Sequence, residues 1–248
     1  MLDTVAILTG ASRGLGDALA HGLVREGTLL ITLARTPNAA LAAAARAASC
    51  ELQEHLVDLG EPNATDAAAA LIFAHLPRQA KRYLLINNAG TLGPIGPGPH
   101  PAHAIQAALN LNVTAAMVLT GQFLKATQGL SARRRILNIS SGAGRGAVAG
   151  WGVYSASKAA LDMYTQTVRL EQGDRGARIV ALAPGVLDTA MQAEVRGSDP
   201  ASFPTLSRFT DLHAKGLLSN PHAAAAHILA YLDRDDFGMT ELDDIRKY

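Results

Sequence analysis

Thr4-Val5-Ala6-Ile7-Leu8-Thr9-Gly10-Ala11-Ser12-Arg13-Gly14-Leu15-Gly16-Asp17-Ala18-Leu19-Ala20-His21-Gly22-Leu23 is the stretch on which the fold turns. Residues 4–9 are a short apolar run with β-branched members, the composition of a parallel strand buried on both faces. Three glycines follow, and then a segment with helical spacing. A strand, a glycine turn and a helix start make a cradle for a pyrophosphate. Glycines let the backbone approach an anion, and the helix N-terminus supplies free N–H groups and a partial positive charge. The spacing is Gly-x-x-x-Gly-x-Gly, not the commoner Gly-x-Gly-x-x-Gly. A glycine-rich turn that binds nothing is the plainer alternative for this segment alone.

The same alternation continues outward. Strand-like runs are predicted near 4–9, 28–33, 52–57, 83–87, 135–140 and 178–182, with a short one near 240–245. Helices fill the intervals, and several are rich in Ala (39–48, 66–74, 222–231), the best helix former. Alternation of this kind means right-handed β-α-β units. The fold class is therefore α/β: a Rossmann-type, doubly wound parallel sheet of about seven strands with helices on both faces. At 248 residues and 48% hydrophobic, residues 1–248 suit one domain, with no compositional break. A first half of about 1–110 holds the glycine cradle, and a second half of about 111–248 includes an irregular region, about 190–220, expected to be a mobile lid.

Net charge of +1 gives no reason to expect a nucleic-acid or membrane partner. Arg133-Arg134-Arg135 is the one tight basic run and reads as a solvated turn before a strand. No apolar run is expected to reach membrane-spanning length, and the first strand begins too early to leave room for a signal peptide. The single Cys50 excludes an internal disulfide and reads as a structural thiol. These features predict a cytoplasmic protein. His100 and His103 lie in a Pro-rich loop at unsuitable spacing, so no metal site is assigned.

Tyr154 and Lys158 stand four apart at the head of a predicted helix over about 152–172, so they share one face. A phenol has an ordinary pKa of about 10, and a neighbouring ammonium lowers it. The pair is therefore expected to form a tuned general acid/base. Tyr-x-x-x-Lys also arises by chance in many helices. Ser141 and Asn112, judged on their own, read as a strand-end turn residue and a satisfied core amide.

Taken together in order, these segments resemble the short-chain dehydrogenase/reductase family. Thr9 to Gly16 is similar to its cofactor loop, Asp58 to its adenine contact, and Asn87-Asn88-Ala89-Gly90 to its motif after the fourth strand. Asn112 matches its helix asparagine. Ser141, Tyr154 and Lys158 match its catalytic trio, with Ser141 preceding Tyr154 by thirteen positions. Pro184-Gly185 matches the turn beside the nicotinamide. The resemblance implies a nicotinamide dinucleotide held by Gly10, Ser12, Arg13, Gly14, Leu15, Gly16, Arg35, Asp58 and Leu59. It extends that set to Asn88, Ala89, Gly90, Tyr154, Lys158, Pro184, Gly185, Leu187, Thr189 and Met191. It further implies that Tyr154 donates a proton to a carbonyl oxygen, that Ser141 hydrogen-bonds that oxygen, and that Lys158 depresses the tyrosine pKa and contacts the ribose. Asn112 would position a water linking Lys158 to solvent. Ser140 and Asn110 fall outside the family's spacing. The Gly93–Pro99 loop would form one wall of the substrate cleft.

Where an acidic residue would take a ribose 2′-hydroxyl, this chain has Ala34 followed by Arg35. With Arg13 in the glycine loop, two arginines and no competing carboxylate point to NADP(H). A narrower resemblance, to the sepiapterin-reductase and bacterial benzil-reductase subgroup, rests on Gly150-Trp151, Pro184 to Gln192 and Leu212 to Gly216. It implies a small-molecule ketone or diketone as substrate and a C-terminal carboxylate that anchors it, Asp244 or alternatively Asp243. Trp151, Leu187 and Met191 would line an apolar slot, or else belong to a core or subunit interface. Expected activity is carbonyl reduction; alcohol oxidation and a non-catalytic cofactor sensor are the other readings. Surplus apolar residues over 113–124 and 159–170 predict a homodimer or homotetramer.

Overall fold

A computed structural model describes residues 2–248. The described residues form strands β1 (Thr4–Thr9), β2 (Thr28–Ala34), β3 (Glu51–Leu56), β4 (Arg82–Asn87), β5 (Arg133–Ile139), β6 (Arg178–Ala183) and β7 (Leu242–Asp244). All are parallel, in the order β3-β2-β1-β4-β5-β6-β7. The helices are α1 (Gly14–Leu23), α2 (Ala39–Ala47), α3 (Pro62–Ala74), α4 (Ala102–Leu109), α5 (Ala115–Thr127), α6 (Gly152–Gln172), α7 (Ala190–Arg196), α8 (Leu206–Ala214) and α9 (Pro221–Asp233).

Side-chain alternation along each strand divides the core in two. In β1, Ala6 and Leu8 face a layer with Leu19 of α1, Leu41 of α2 and Ile228 of α9. Val5 and Ile7 face the opposite layer, with Phe73 of α3, Phe123 of α5 and Val168 of α6. A strand buried on both faces has no polar alternation to show, and this is why β1 reads as a continuous apolar run. The edge strand β3 is different: Glu51, Gln53 and Glu54 are exposed, and charge on an edge discourages pairing with another chain.

Chain direction across the sheet reverses between β1 and β4. Crossovers that leave these two neighbours in opposite directions open a crevice at their C-terminal ends, the usual ligand position in such sheets. A ladder of buried amides and hydroxyls braces the floor of that crevice. Asn87 Nδ2 donates to Asn138 Oδ1 at 2.8 Å and to Thr120 Oγ1 at 3.2 Å, and Asn138 Nδ2 donates to Thr165 Oγ1 at 2.8 Å.

The structure corrects three expectations. Arg133, Arg134 and Arg135 belong to β5 itself; Arg135 is 6% exposed, donates to the Leu232 carbonyl and stacks over Phe237. A long guanidinium stem can lie along apolar surface, which charge counting along a sequence does not register. Residues 190–220 are irregular only in part. They include α7 and α8, with Phe203 before α8 and Phe209 within it both buried, and Gly197, Pro200 and Pro204 fall in the connection. Finally, Ala102–Thr127 is one continuous helical stretch, long and apolar enough by length and composition to cross a membrane. Its Leu119 and Phe123 are fully buried in the sheet-facing core.

Candidate active site

A cleft of about 1080 Å³ runs along the C-terminal ends of the strands. Its central floor is the turn after β1. Gly10 and Gly14 adopt φ of +72° and +60°, a region open to glycine without strain. A Cβ on Gly16 would lie 2.0 Å from the Gly10 carbonyl oxygen, so only glycine lets the turn close onto α1. A Cβ on Gly14 would meet only the Thr189 side chain, Cγ2 at 3.5 Å and Cβ at 3.8 Å. At the head of α1, Arg13 places no side-chain cap on the free N–H groups.

The turn is held in register by β4. Thr9 Oγ1 accepts from the N–H groups of Asn88 and Ala89, each at 2.9 Å, and Asn88 Nδ2 donates to the Thr9 carbonyl at 2.9 Å. Thr9 as a latch was missed in the sequence, where its hydroxyl is indistinguishable from that of any other strand threonine. A second latch was also missed. Asn38 caps α2 and donates from Nδ2 to the Ala11 carbonyl at 3.2 Å and to Asp17 Oδ1 at 2.6 Å, tying the Arg35 turn to the glycine turn.

The cleft wall includes all of Gly10, Ser12, Arg13, Leu15, Arg35, Asp58, Leu59, Asn88, Ala89 and Gly90. Arg13 and Arg35 are exposed and form no ion pair among the described residues. Asp58 and Glu61 line the same cleft, so carboxylates are not absent from it, although Ala34 does occupy the acid position. Asp58 Oδ1 is committed to the Gly60 N–H at 2.9 Å. Pro184, Gly185, Leu187, Thr189 and Met191 line the opposite side.

At the other end Ser141, Tyr154 and Lys158 come together, from the turn after β5 and the first two turns of α6. Lys158 is 4% exposed, and its Nζ donates to the Ile139 carbonyl at 2.8 Å. Burial pulls its pKa down from 10.5 to about 8, with the Asp162 carboxylate opposing that fall. The expected lowering of the Tyr154 pKa is not found. Burial raises it, and a hydrogen bond with Ser141 only partly offsets this. The reason is geometric: the ammonium lies 5.7 Å from the phenol ring centre and is turned toward Ile139. The tyrosine is therefore held as the neutral acid.

Asn112 sits in a π-helical turn, Asn110–Thr114, that joins α4 to α5 and directs its amide inward. Its Nδ2 donates to the Thr91 carbonyl at 2.8 Å and Ser157 Oγ at 2.9 Å, and its Oδ1 accepts from the Thr91 N–H at 2.9 Å. Both amide protons are thus spent on splinting the loop after β4 to α6, which leaves the carbonyl oxygens of Asn112 as the atoms able to hold a water. Asn110 and Ser140 point away, toward the Gly60 carbonyl and Asp162 respectively.

Trp151 packs at 5.4 Å from Tyr154, 5.1 Å from Phe203 and 5.2 Å from Phe209, between ring centres. With Leu187 and Met191 it walls this end of the cleft. Phe203 and Phe209 were missed because the 190–220 region shows no period in sequence. The two C-terminal carboxylates do not line the cleft. Asp244 lies outside the cleft wall, its carboxylate held by Arg246 through Nε at 2.8 Å and Nη2 at 2.5 Å, which lowers its pKa. Asp243 is 1% exposed and accepts from Tyr231, Lys247 and Tyr248. Arg246 is the C-terminal side chain that reaches the cleft. Among the described residues no His, Cys, Asp and Glu cluster could hold a metal ion.

A glycine turn that only glycine can close, an uncapped helix start and an apolar pocket beside Asp58 fit a dinucleotide. Comparison with protein families matches residues 4–199 to the short chain dehydrogenase family. The chain belongs to this family. It is 36% identical over 241 residues to a benzil reductase ((S)-benzoin forming) of Bacillus cereus, covering 95% of this chain and 96% of that one. It is 36% identical over 250 residues to sepiapterin reductase of Rattus norvegicus, covering 94% and 92%. Among solved structures, actinorhodin polyketide ketoreductase with NADPH superposes with a TM-score of 0.79 at 25% identity, covering 98% of this chain and 97% of that one. This short-chain dehydrogenase is an oxidoreductase that acts on a CH–OH/C=O pair with a nicotinamide cofactor.

Proposed function

We propose that this enzyme is an NADPH-dependent carbonyl reductase acting on small ketones, vicinal diketones above all. The observation that carries the reading is the Tyr154 phenol, kept protonated by burial and opening with Ser141 onto an apolar cleft. A bound nicotinamide dinucleotide supplies hydride chemistry at a carbonyl carbon. Tyr154 holds a proton at Oη for the carbonyl oxygen, and Ser141 Oγ hydrogen-bonds the same oxygen as negative charge develops. Lys158, with a pKa of about 8, exchanges protons close to neutrality and can restore the phenol. Arg13 and Arg35, without carboxylate partners, offer bidentate binding to a 2′-phosphate. Trp151, Leu187 and Met191 give a slot suited to flat conjugated substrates, in keeping with the benzil and sepiapterin reductases.

The test is an NADPH-oxidation screen over benzil, isatin, phenylpropanedione, sepiapterin and simple ketones, with NADH in parallel. Faster oxidation with diketones and with NADPH is expected; preference for NADH, or no turnover of any carbonyl, refutes the reading. Exposed Met117 on α5 and Met163 and Leu170 on α6 form an apolar face consistent with a homodimer or homotetramer. Light scattering at micromolar concentration checks it, and a monomer refutes it.

A further inference from the structure

Directly behind the reacting groups lies a charged network whose ionised members, Asp162 and Arg145, do not line the cleft. Asp162 follows Lys158 by one helical turn, and its side chain is 5% exposed. Its Oδ1 accepts from Ser140 Oγ at 2.5 Å and its Oδ2 from Arg145 Nε at 3.0 Å. The Arg145 guanidinium continues outward, donating from Nη1 to the Asp243 carbonyl at 2.8 Å and from Nη2 to the Ala181 carbonyl at 2.9 Å. One side chain on the turn after β5 is thereby bolted to α6, β6 and β7. The turn is also pressed against the helix backbone: a Cβ on Gly144 would lie 2.8 Å from the Lys158 carbonyl carbon.

We propose that Arg145 and Asp162 are positioning residues that hold the Ser141 turn and the Tyr154–Lys158 face of α6 in one rigid geometry. The inference rests on the reading of Ser141, Tyr154 and Lys158 as the reacting set. A partly buried ion pair is a poor stabiliser, since apolar side chains of similar volume commonly do as well or better. What the pair adds is direction. Arg145 has a rigid fork of five N–H groups, and three of them are spent here on three different elements. Ser140 and Ser141 are adjacent, so the Ser140–Asp162 bond sets the backbone from which Ser141 projects. The carboxylate also faces the Lys158 ammonium and opposes its loss of charge. The titratable groups facing Lys158 are Tyr154 and Asp162 from α6 and, one layer back, Arg145 from the turn after β5, which meets β7 only at the Asp243 backbone carbonyl. The loop after β4 and the π-helical turn present neutral Gly90 and Asn112.

The test uses the full-length enzyme with wild type and Tyr154→Phe as references, followed by Arg145→Met, Arg145→Lys and Asp162→Asn. A misplacement of about 1 Å at reacting groups can lower the rate by about 10²-fold. Arg145→Met is therefore expected to lower kcat by about 10- to 100-fold while the KM for the carbonyl and the affinity for NADPH stay within about twofold of wild type. Arg145→Lys, which keeps the charge and loses the fork, is expected to recover part of the rate. In Asp162→Asn the Lys158 amine, followed by NMR in the cofactor-free protein with labelled lysine, is expected to titrate at lower pH. The alkaline limb of the kcat profile should move the same way. Wild-type kcat in folded Arg145→Met overturns the proposal, as does an unmoved Lys158 titration in Asp162→Asn. If Arg145→Met does not fold, undiminished kcat in Arg145→Lys overturns it instead. Retained turnover in Tyr154→Phe would refute the assignment of the reacting set, while the cofactor-free titration would still report on the network separately.

Discussion

Replacing Lys158 with Met should make the cofactor-free protein more stable at neutral pH while abolishing turnover. The ammonium is 4% exposed, and its pKa falls from 10.5 to about 8. At 1.36 kcal/mol per pK unit, holding this lysine charged in the fold costs about 3 kcal/mol. Methionine of similar length removes that penalty. It also removes the hydrogen bond to the Ile139 carbonyl, worth about 1 kcal/mol. The net expected gain is about 2 kcal/mol, or about 4–8 °C in Tm for a chain of this size. The sign follows from linkage. The folded pKa lies below the unfolded one, so the penalty is fully present below about pH 8, shrinks as pH rises toward 10.5, and is absent above it. Urea unfolding of both proteins at pH 7 and pH 10 is the assay. A variant no more stable than wild type at pH 7, or a difference of the same size at both pH values, would refute the reasoning.

Three further substitutions probe the rest of the cleft. Tyr154→Phe should keep the fold and the NADPH affinity but lose about 10²–10⁴-fold in kcat, since one acid is removed from a rigid site; near-normal turnover with an unchanged circular dichroism spectrum would count against the acid role. Arg35→Ala should weaken NADPH binding by tenfold or more, at about 1.5–3 kcal/mol per charge-assisted bond, and leave NADH nearly unaffected. Equal losses for both cofactors in fluorescence titrations would make Arg35 structural. Gly16→Ala should lower NADPH affinity and cost about 1–3 kcal/mol of stability, because its Cβ would lie 2.0 Å from the Gly10 carbonyl oxygen and 2.5 Å from Asn88 Nδ2. Wild-type NADPH binding in that variant would show that the glycine turn does not hold the dinucleotide.

The elements themselves were legible because their signals are local. A strand buried on both faces must be apolar throughout, and a helix covering it must repeat its apolar residues every three or four positions. The β1 run, the Gly10–Gly16 turn and the four-residue spacing of Tyr154 and Lys158 follow from those two rules and needed no knowledge of the rest of the chain. What escaped depends on residues far apart in sequence. Arg135 was read as solvated, yet it reaches Leu232 and Phe237, about a hundred positions away. Phe203 and Phe209 became part of the pocket wall only through their packing on Trp151.

The active-site chemistry divides along the same line. Sequence alone determined which side chains are available and that Tyr154 and Lys158 share a face, because helix geometry settles neighbours one turn apart. Tertiary structure decided what those groups are: the phenol raised instead of lowered, the lysine drawn to Ile139, and the C-terminal carboxylates locked against Arg246, Tyr231 and Tyr248. A proton affinity is set by desolvation and by every charge and dipole within a few ångströms, and those neighbours are assembled only when distant segments pack.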